Sequence, residues 1–353
     1  MNTENAATHH KVRRLSPDDL DGAVAIDREI VGHSRRGYFE KRLAAALRDP
    51  DGHMQFAIDG PDGLEAAVLA RVQSGEFGRE APAVMLEVID VAPDQQHLGH
   101  GAALLAALEA EMRQRGIAEL QTAIAWTDHV MAKFFAAGGF AKAPRHIIAV
   151  AVDPARAAMA LSDDSDDDDD HDDDDRADNL KALPRDRIDV ASLTEQDLDA
   201  LVVIDSKLTG RDRRPYMMAK LNEALVDSGI RISLAARSDG IVAGFIMARL
   251  DFGDFGRTDA VAVIDTIGVH PDFAGHGIAH ALLSQLLVNL NGLRVESAET
   301  TIALDDFELL GFLYRSGFQP TQRIALAKQT GYPDTAAARR HQHLSPRPDP
   351  GDR

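Results

Sequence analysis

Val91-Ala92-Pro93-Asp94-Gln95-Gln96-His97-Leu98-Gly99-His100-Gly101 runs on into Leu104-Leu105. At an offset of 178 residues, Val269-His270-Pro271-Asp272-Phe273-Ala274-Gly275-His276-Gly277-Ile278-Ala279 runs on into Leu282-Leu283. The two Gly-His-Gly triplets tempt an alignment of Gly99 with Gly275. The shared proline and leucine pair instead require Gly99 with Gly277, and Gly101 with Ala279. Both stretches read as an apolar strand, a glycine-containing turn and a long amphipathic helix closed in the first copy by Gly116.

The same offset holds on either side. Ile26-Asp27 recurs as Ile204-Asp205, Arg35-Arg36-x-Tyr38 as Arg213-Arg214-x-Tyr216, and Gly139-Phe140 as Gly317-Phe318. Gly75-Glu76-Phe77-Gly78-Arg79 recurs as Gly253-Asp254-Phe255-Gly256-Arg257. A unit near 140 residues is too long for a solenoid module, so each copy should be a whole domain. The expected division is 1–155, a linker over 156–185, a second domain over 186–330 and a tail over 331–353.

Composition narrows the class. The chain has 353 residues, 44% of them hydrophobic, which suffices for two cores. No cysteine is present, so disulfides and thiolate chemistry are excluded, and a cytoplasmic location is expected. The net charge is −19, but 11 acidic charges sit in Asp163 to Asp175. That run cannot bury apolar surface and reads as a solvated spacer; it lacks the glycine and spaced ligands of a calcium loop. The remaining −8 leaves no basic surplus for nucleic acid, and no apolar run is long enough for a membrane. No metal site is expected, and the oligomeric state stays open.

Within the first copy, strands are expected at Val12 to Leu15, Met54 to Ile58, Ala66 to Val72, Met85 to Val91, Glu119 to Ala125 and Ile147 to Val152. Helices are expected from Ser16-Pro17 onward, over Tyr38 to Leu47, Gly99 to Arg115 and His129 to Ala137. The second copy repeats this order, giving two mixed α/β domains.

A glycine turn feeding a helix exposes unpaired N–H groups at the positive end of the dipole. It therefore suits a phosphate or pyrophosphate without basic side chains. The candidate cradle is Gln96, His97, Leu98, Gly99, His100, Gly101 and Ala102, with Ala274, Gly275, His276, Gly277, Ile278 and Ala279 in the second copy. No Gly-Lys-Ser/Thr follows, and the glycine spacing is not the dinucleotide fingerprint. The plainer alternative is a helix start with incidental glycines.

At these residues the chain resembles the GCN5-related N-acetyltransferase superfamily, whose signature is Gln/Arg-x-x-Gly-x-Gly/Ala after a strand ending Val-x-Pro. The second copy departs from it in carrying Ala274 where Gln or Arg is expected. The resemblance implies two tandem domains, each a mostly antiparallel sheet flanked by helices, with acetyl-CoA as co-substrate. It also implies that the backbone near Ile89 to Val91, or Ile267 to Val269, holds the pantetheine arm.

Family position further marks Glu87 and Asp265 as the base or a water-relaying group. Strand alternation would put residues 85, 87 and 89 on one face. A carboxylate satisfied by a neighbouring arginine is the alternative. The usual acid position is occupied by Phe135 and Leu313, with Tyr314 adjacent to the latter. The CoA-contacting asparagine is replaced by Asp128 and Asp306. The loop between the first two helices carries Arg35, Arg36, Tyr38, Arg213, Arg214 and Tyr216. Paired arginines there suit a carboxylate or phosphate on the acceptor. The activity implied is acetyl transfer to a primary amine by direct attack, with one copy catalytic and the other regulatory. The rivals are an acyl-CoA sensor and an interaction scaffold.

Overall fold

The computed structural model describes residues 11–78, 81–152, 188–227, 230–252 and 260–331. The expected acidic linker, the tail beyond Gly331 and the repeat of the Gly-Glu-Phe-Gly loop at 253–257 lie outside the described residues.

In the first copy the elements run β1 (Val12–Arg14), α1 (Leu20–Val31), α2 (Arg36–Arg48), β2 (His53–Gly60), β3 (Gly63–Gln73) and β4 (Ala83–Val91). They continue with α3 (His100–Gln114), β5 (Glu119–Ala125), α4 (His129–Ala137), β6 (Ala141–Lys142) and β7 (Arg145–Ala151). The second copy gives β8 (Asp189–Ser192), α5 (Leu198–Thr209), α6 (Arg214–Asn222), β9 (Leu234–Ser238), β10 (Ile241–Phe252) and β11 (Ala260–Val269). It ends with α7 (Ile278–Gly292), β12 (Ser297–Ala303), α8 (Phe307–Arg315), β13 (Gln319–Pro320) and β14 (Arg323–Gln329). Each copy opens on a matched capping turn: Asp19 accepts from the Ser16 N–H at 2.7 Å and hydroxyl at 3.0 Å, and Asp197 does the same for Thr194 at 2.8 and 2.9 Å.

Two seven-stranded sheets result, and each takes a strand from the other half. The first has the order β1-β2-β3-β4-β5-β14-β6, the second β13-β7-β12-β11-β10-β9-β8. Strand β14 pairs with β5 along its whole length, from Arg323 opposite Ala125 to Gln329 opposite Glu119, and β7 pairs with β12 in the same way. The local pattern foretold β7 as a strand; nothing local says which sheet it joins. Ile147, Ala325 and Ala143 are buried together where the exchanged strands cross.

Helices α3 and α4 cover one face of the first sheet. Leu104, Leu108 and Met112, spaced by four, are fully buried there against Val84, Leu86 and Phe135. Each such side chain contributes about 2 kcal/mol. Helices α1 and α2 cover the other face through Ala23, Val24, Tyr38 and Phe39, packed on Leu69 and Val88.

The alternation expected along β4 fails at one residue. Leu69 opposes Val88 while Ala70 opposes Leu86, so Glu87 is the extra residue of a bulge. The same step between Met247 opposite Thr266 and Ala248 opposite Ile264 puts Asp265 in a bulge of β11. Ile89 therefore shares the α3 core with Val84 and Leu86 and does not lie on the face of residues 85 and 87.

Candidate active site

Strands β4 and β5 run parallel but pair only from Ala83–Glu119 to Met85–Gln121. Thr122 Oγ1 then donates to the Leu86 carbonyl at 3.1 Å, and the pairing goes no further. Strands β11 and β12 repeat this: pairing ends at Val263–Glu299, and Thr300 Oγ1 donates to Ile264 O at 2.9 Å. Each sheet thus opens a wedge whose vertex is pinned by threonine. One wall of each wedge is the backbone around Ile89 and Val91, or Ile267 and Val269.

The glycine turn stands at the wide end. Gly99 (φ 96°) and Gly277 (φ 73°) occupy matched left-handed positions as N-caps of α3 and α7, and neither helix start has a side-chain cap. Two residues earlier, His97 (φ 66°) matches Gly275 (φ 78°), which settles the register of the two turns. A side chain on Gly101 would reach the Phe134 ring at 3.0 Å, so this glycine also serves packing between α3 and α4. Gln96 Nε2 turns back to the Val91 carbonyl at 3.3 Å, and His276 Nδ1 to Ala274 O at 3.0 Å. His100 is buried against Glu65, its Nε2 at 2.9 Å from the carboxylate.

The bulge carboxylates are buried and doubly paired. Glu87 lies 2.5 Å from Arg71 and 2.9 Å from Arg42. Asp265 contacts Arg249 and lies 3.3 Å from Lys220. All six residues obey the repeat, Arg71 with Arg249 and Arg42 with Lys220. Burial alone would raise the Asp265 carboxyl, but Arg249 and Lys220 outweigh it and hold it below the usual range. Lys220 is held above its usual value because Asp265, Glu223 and Glu76 outweigh its desolvation.

The remaining sequence candidates are placed as follows. Arg35 pairs with buried Asp27 through Nε at 3.0 Å, and Arg213 pairs with Asp205 through Nε at 2.9 Å. The repeated Ile-Asp and Arg-Arg-x-Tyr motifs are thus two ends of one ion pair. Arg213 Nη1 also donates to the Gly75 carbonyl at 2.5 Å, so the Gly-Glu-Phe-Gly loop of the first half seats on the second. Arg36 and Arg214 are half-exposed and contact Asp21 and Asp199. Tyr38 is buried beside Arg35, and Tyr216 is partly buried over Arg213. Desolvation raises the Tyr216 phenol. Asp128 and Asp306 cap α4 and α8, accepting from Met131 N at 3.0 Å and Leu309 N at 3.2 Å. Tyr314 meets His146 Nδ1 at 3.3 Å on β7, which adjoins β12 on the side away from the wedge.

Two clusters escaped the sequence reading. Asp90, on β4 beyond the bulge, is buried beside Asp27. Burial and that neighbour push its carboxyl up to about 7, against the pull of Arg35. Its counterpart in the second copy is Gly268. The other cluster lines a cavity of about 180 Å³ between the two sheets. Arg71 with Arg249, and Arg145 with Arg323, face it as repeat-related pairs. Charged residues recurring at one offset inside apolar strands were the available signal.

The model of the acetyltransferase (GNAT) family matches residues 23–140 and 198–318. The chain belongs to the GNAT family. A mycothiol acetyltransferase of Clavibacter michiganensis is 24% identical over 312 residues, covering 86% of this chain and 89% of that protein. Among solved structures, a tandem GNAT protein from the clavulanic acid biosynthesis pathway superposes with TM-score 0.58 at 17% identity, covering 92% of this chain and 99% of its own. A GNAT protein of Sphaerobacter thermophilus gives TM-score 0.53 at 16% identity, covering 92% and 97%. These likenesses establish the fold, two GNAT domains in tandem, and membership supports acetyl transfer as the activity. Among the described residues no helix is long and apolar enough to cross a membrane.

Proposed function

We propose that this chain is an acetyl-CoA-dependent N-acetyltransferase that acts on a primary amine by direct attack in a ternary complex, with its second half performing the transfer. The observation that carries this reading is the matched pair of wedge and uncapped turn. The backbone N–H groups from Leu98 to Ala102, and from His276 to Ala279, suit a pyrophosphate. The strand edges at Ile89–Val91 and Ile267–Val269 suit an amide-bearing pantetheine arm. Acetyl-CoA, when bound, supplies the thioester carbonyl. The likeness to a mycothiol acetyltransferase supports an acetyl group as the cargo.

The second half is favoured as the transferring one because the cavity reaches its wedge, at Asp265, Ala303 and Asp306. Asp265, held ionised by two cations, attracts the ammonium form of the amine. The ammonium first loses a proton to bulk solvent, and the free amine nitrogen then bonds to the thioester carbon. A water ordered by Asp265 carries the second proton to solvent as the C–S bond breaks and the thiolate leaves. Glu87 holds the equivalent place in the first half, as the counter-ion of Arg71 and Arg42. Tyr314, committed to His146, receives no role at the sulfur here; a thiolate departs without a dedicated acid.

The double pairing of both bulge carboxylates favours one rival, an acyl-CoA sensor without turnover. Calorimetry of the full chain with acetyl-CoA, followed by amine-dependent thiol release, separates the two. Exposed Ala102 and His280 sit at matching first-turn positions, so Ala102→Glu and His280→Glu each set a negative charge against one phosphate site. Each should remove one binding event, and His280→Glu alone should abolish thiol release. Tight binding with no release from any amine selects the sensor; no binding at all removes both readings.

A further inference from the structure

Among the partners of the repeat-related arginines around the cavity, one departs from the repeat, and the departure leaves a donor unused. Arg145 on β7 and Arg323 on β14 are repeat-related, and each reaches back to the sheet that its strand has left. Arg323 Nη1 meets Glu299 Oε1 at 3.1 Å. The repeat-equivalent of Glu299 is Gln121, yet Arg145 meets Glu119 at 3.0 Å, two residues earlier on β5. Gln121 thus keeps the place of a partner without the partnership. It is 4% exposed, lines the cavity, and its Nε2 has no hydrogen-bond acceptor. A buried amide donor left empty is costly, and an oxygen on a molecule bound in the cavity would satisfy it.

The other walls restrict what that molecule is. Arg71, Arg249, Arg145 and Arg323 each face a carboxylate, so no cationic surplus awaits an anionic ligand. Asp306 adds a further negative charge to the lining, while Met85, Ala123 and Val263 are apolar. A cavity of about 180 Å³ has room for roughly ten non-hydrogen atoms.

We infer that this cavity receives the acceptor, and that Gln121 from the first half selects among acceptors for chemistry performed on the second. The class is a small, uncharged-but-for-its-amine molecule bearing a hydroxyl or carbonyl oxygen near the nitrogen. The inference rests on the transferase reading above. It moves acceptor recognition away from Arg35 and Arg213, which are spent on Asp27 and Asp205, to a surface that exists only because the halves are joined.

The test uses the full chain and two amines of one shape. Serinol carries hydroxyls where 3-aminopentane carries methyl groups. With acetyl-CoA, kcat/KM for serinol should exceed that for 3-aminopentane by about tenfold to a hundredfold, since a site built around a buried donor rejects the analogue that cannot fill it. Gln121→Met should bring that ratio close to one while calorimetry shows unaltered acetyl-CoA affinity. Gln121→Leu, which likewise removes the amide and offers no polar group to a hydroxyl, should do the same if the methionine variant fails to fold. Equal rates for the two amines in the unaltered chain, or a ratio preserved in the folded variants, would overturn the inference. So would acetyl-CoA binding with no detectable serinol binding or turnover. Loss of acetyl-CoA binding to the unaltered chain would instead overturn the reading beneath it.

Discussion

Arg145 Nη2 lies 3.0 Å from Glu119 Oε1, although β7 and β5 belong to different sheets. Arg323 and Glu299 make the corresponding bond in the opposite sense. Each exchanged strand is therefore paired by backbone to the foreign sheet and tied by an arginine to its own half. The two halves share edges and cannot be treated as beads on a string.

That geometry predicts the outcome of a cut. With a specific protease site placed within residues 163–175 of the full chain, the severed pieces should co-elute as one particle and part only in denaturant. Acetyl-CoA affinity should not change. Size-exclusion chromatography decides the matter, and pieces that separate in native buffer would refute the exchange.

Removing one bulge carboxylate takes a shared, buried counter-ion from two cations. Asp265→Asn and Glu87→Gln should each cost about 3–5 kcal/mol in urea denaturation at pH 7. For Asp265 the folded value is depressed, so its contribution is complete above the ordinary carboxylate range of about 4 and fades as pH falls below it. The gap between the unaltered chain and Asp265→Asn should therefore narrow in acid.

Asp90 has the opposite sign. Its folded value is raised to about 7, so the native state holds a proton that the unfolded chain has released by then. Stability from this group is present below about pH 4 and declines as pH rises towards 7. Asp90→Asn should match the unaltered chain near pH 4 and exceed it at pH 8 by something of the order of 3 kcal/mol. Paired urea titrations at the two pH values measure it.

His97 holds a left-handed backbone where the second copy uses Gly275. His97→Gly relieves that strain and should stabilise the chain by about 0.5 kcal/mol, the gain being limited by glycine's greater freedom when unfolded. If main-chain amides alone grip the phosphates, acetyl-CoA affinity should stay within about twofold. A large fall in calorimetry would assign the imidazole a direct contact.

The repeat, the helices, the strands other than two-residue β6 and β13, and the register of the glycine turns were written in local pattern. Gly99 with Gly277 followed from a proline and two leucines, and the matched left-handed angles bear it out. What local pattern could not convey is which sheet a strand joins: Arg145–Ala151 has the same alternation whether it completes its own sheet or its neighbour's. The bulges were hidden for a related reason. A single extra residue at Glu87 or Asp265 leaves the apolar composition unchanged and reverses only the facing beyond it. Arg35 and Arg213 looked available because their partners, Asp27 and Asp205, lie eight residues upstream, across a helix end.

The slot between β5 and β6 is filled by residues made almost two hundred positions later. A ribosome that has released the first half has produced a sheet with a vacancy and a spare strand. The spare strand finds its mate only once Ala303 has emerged, and the vacancy is filled only once Gln329 has. Truncated translation products of this chain should consequently be the species that chaperones hold and proteases clear.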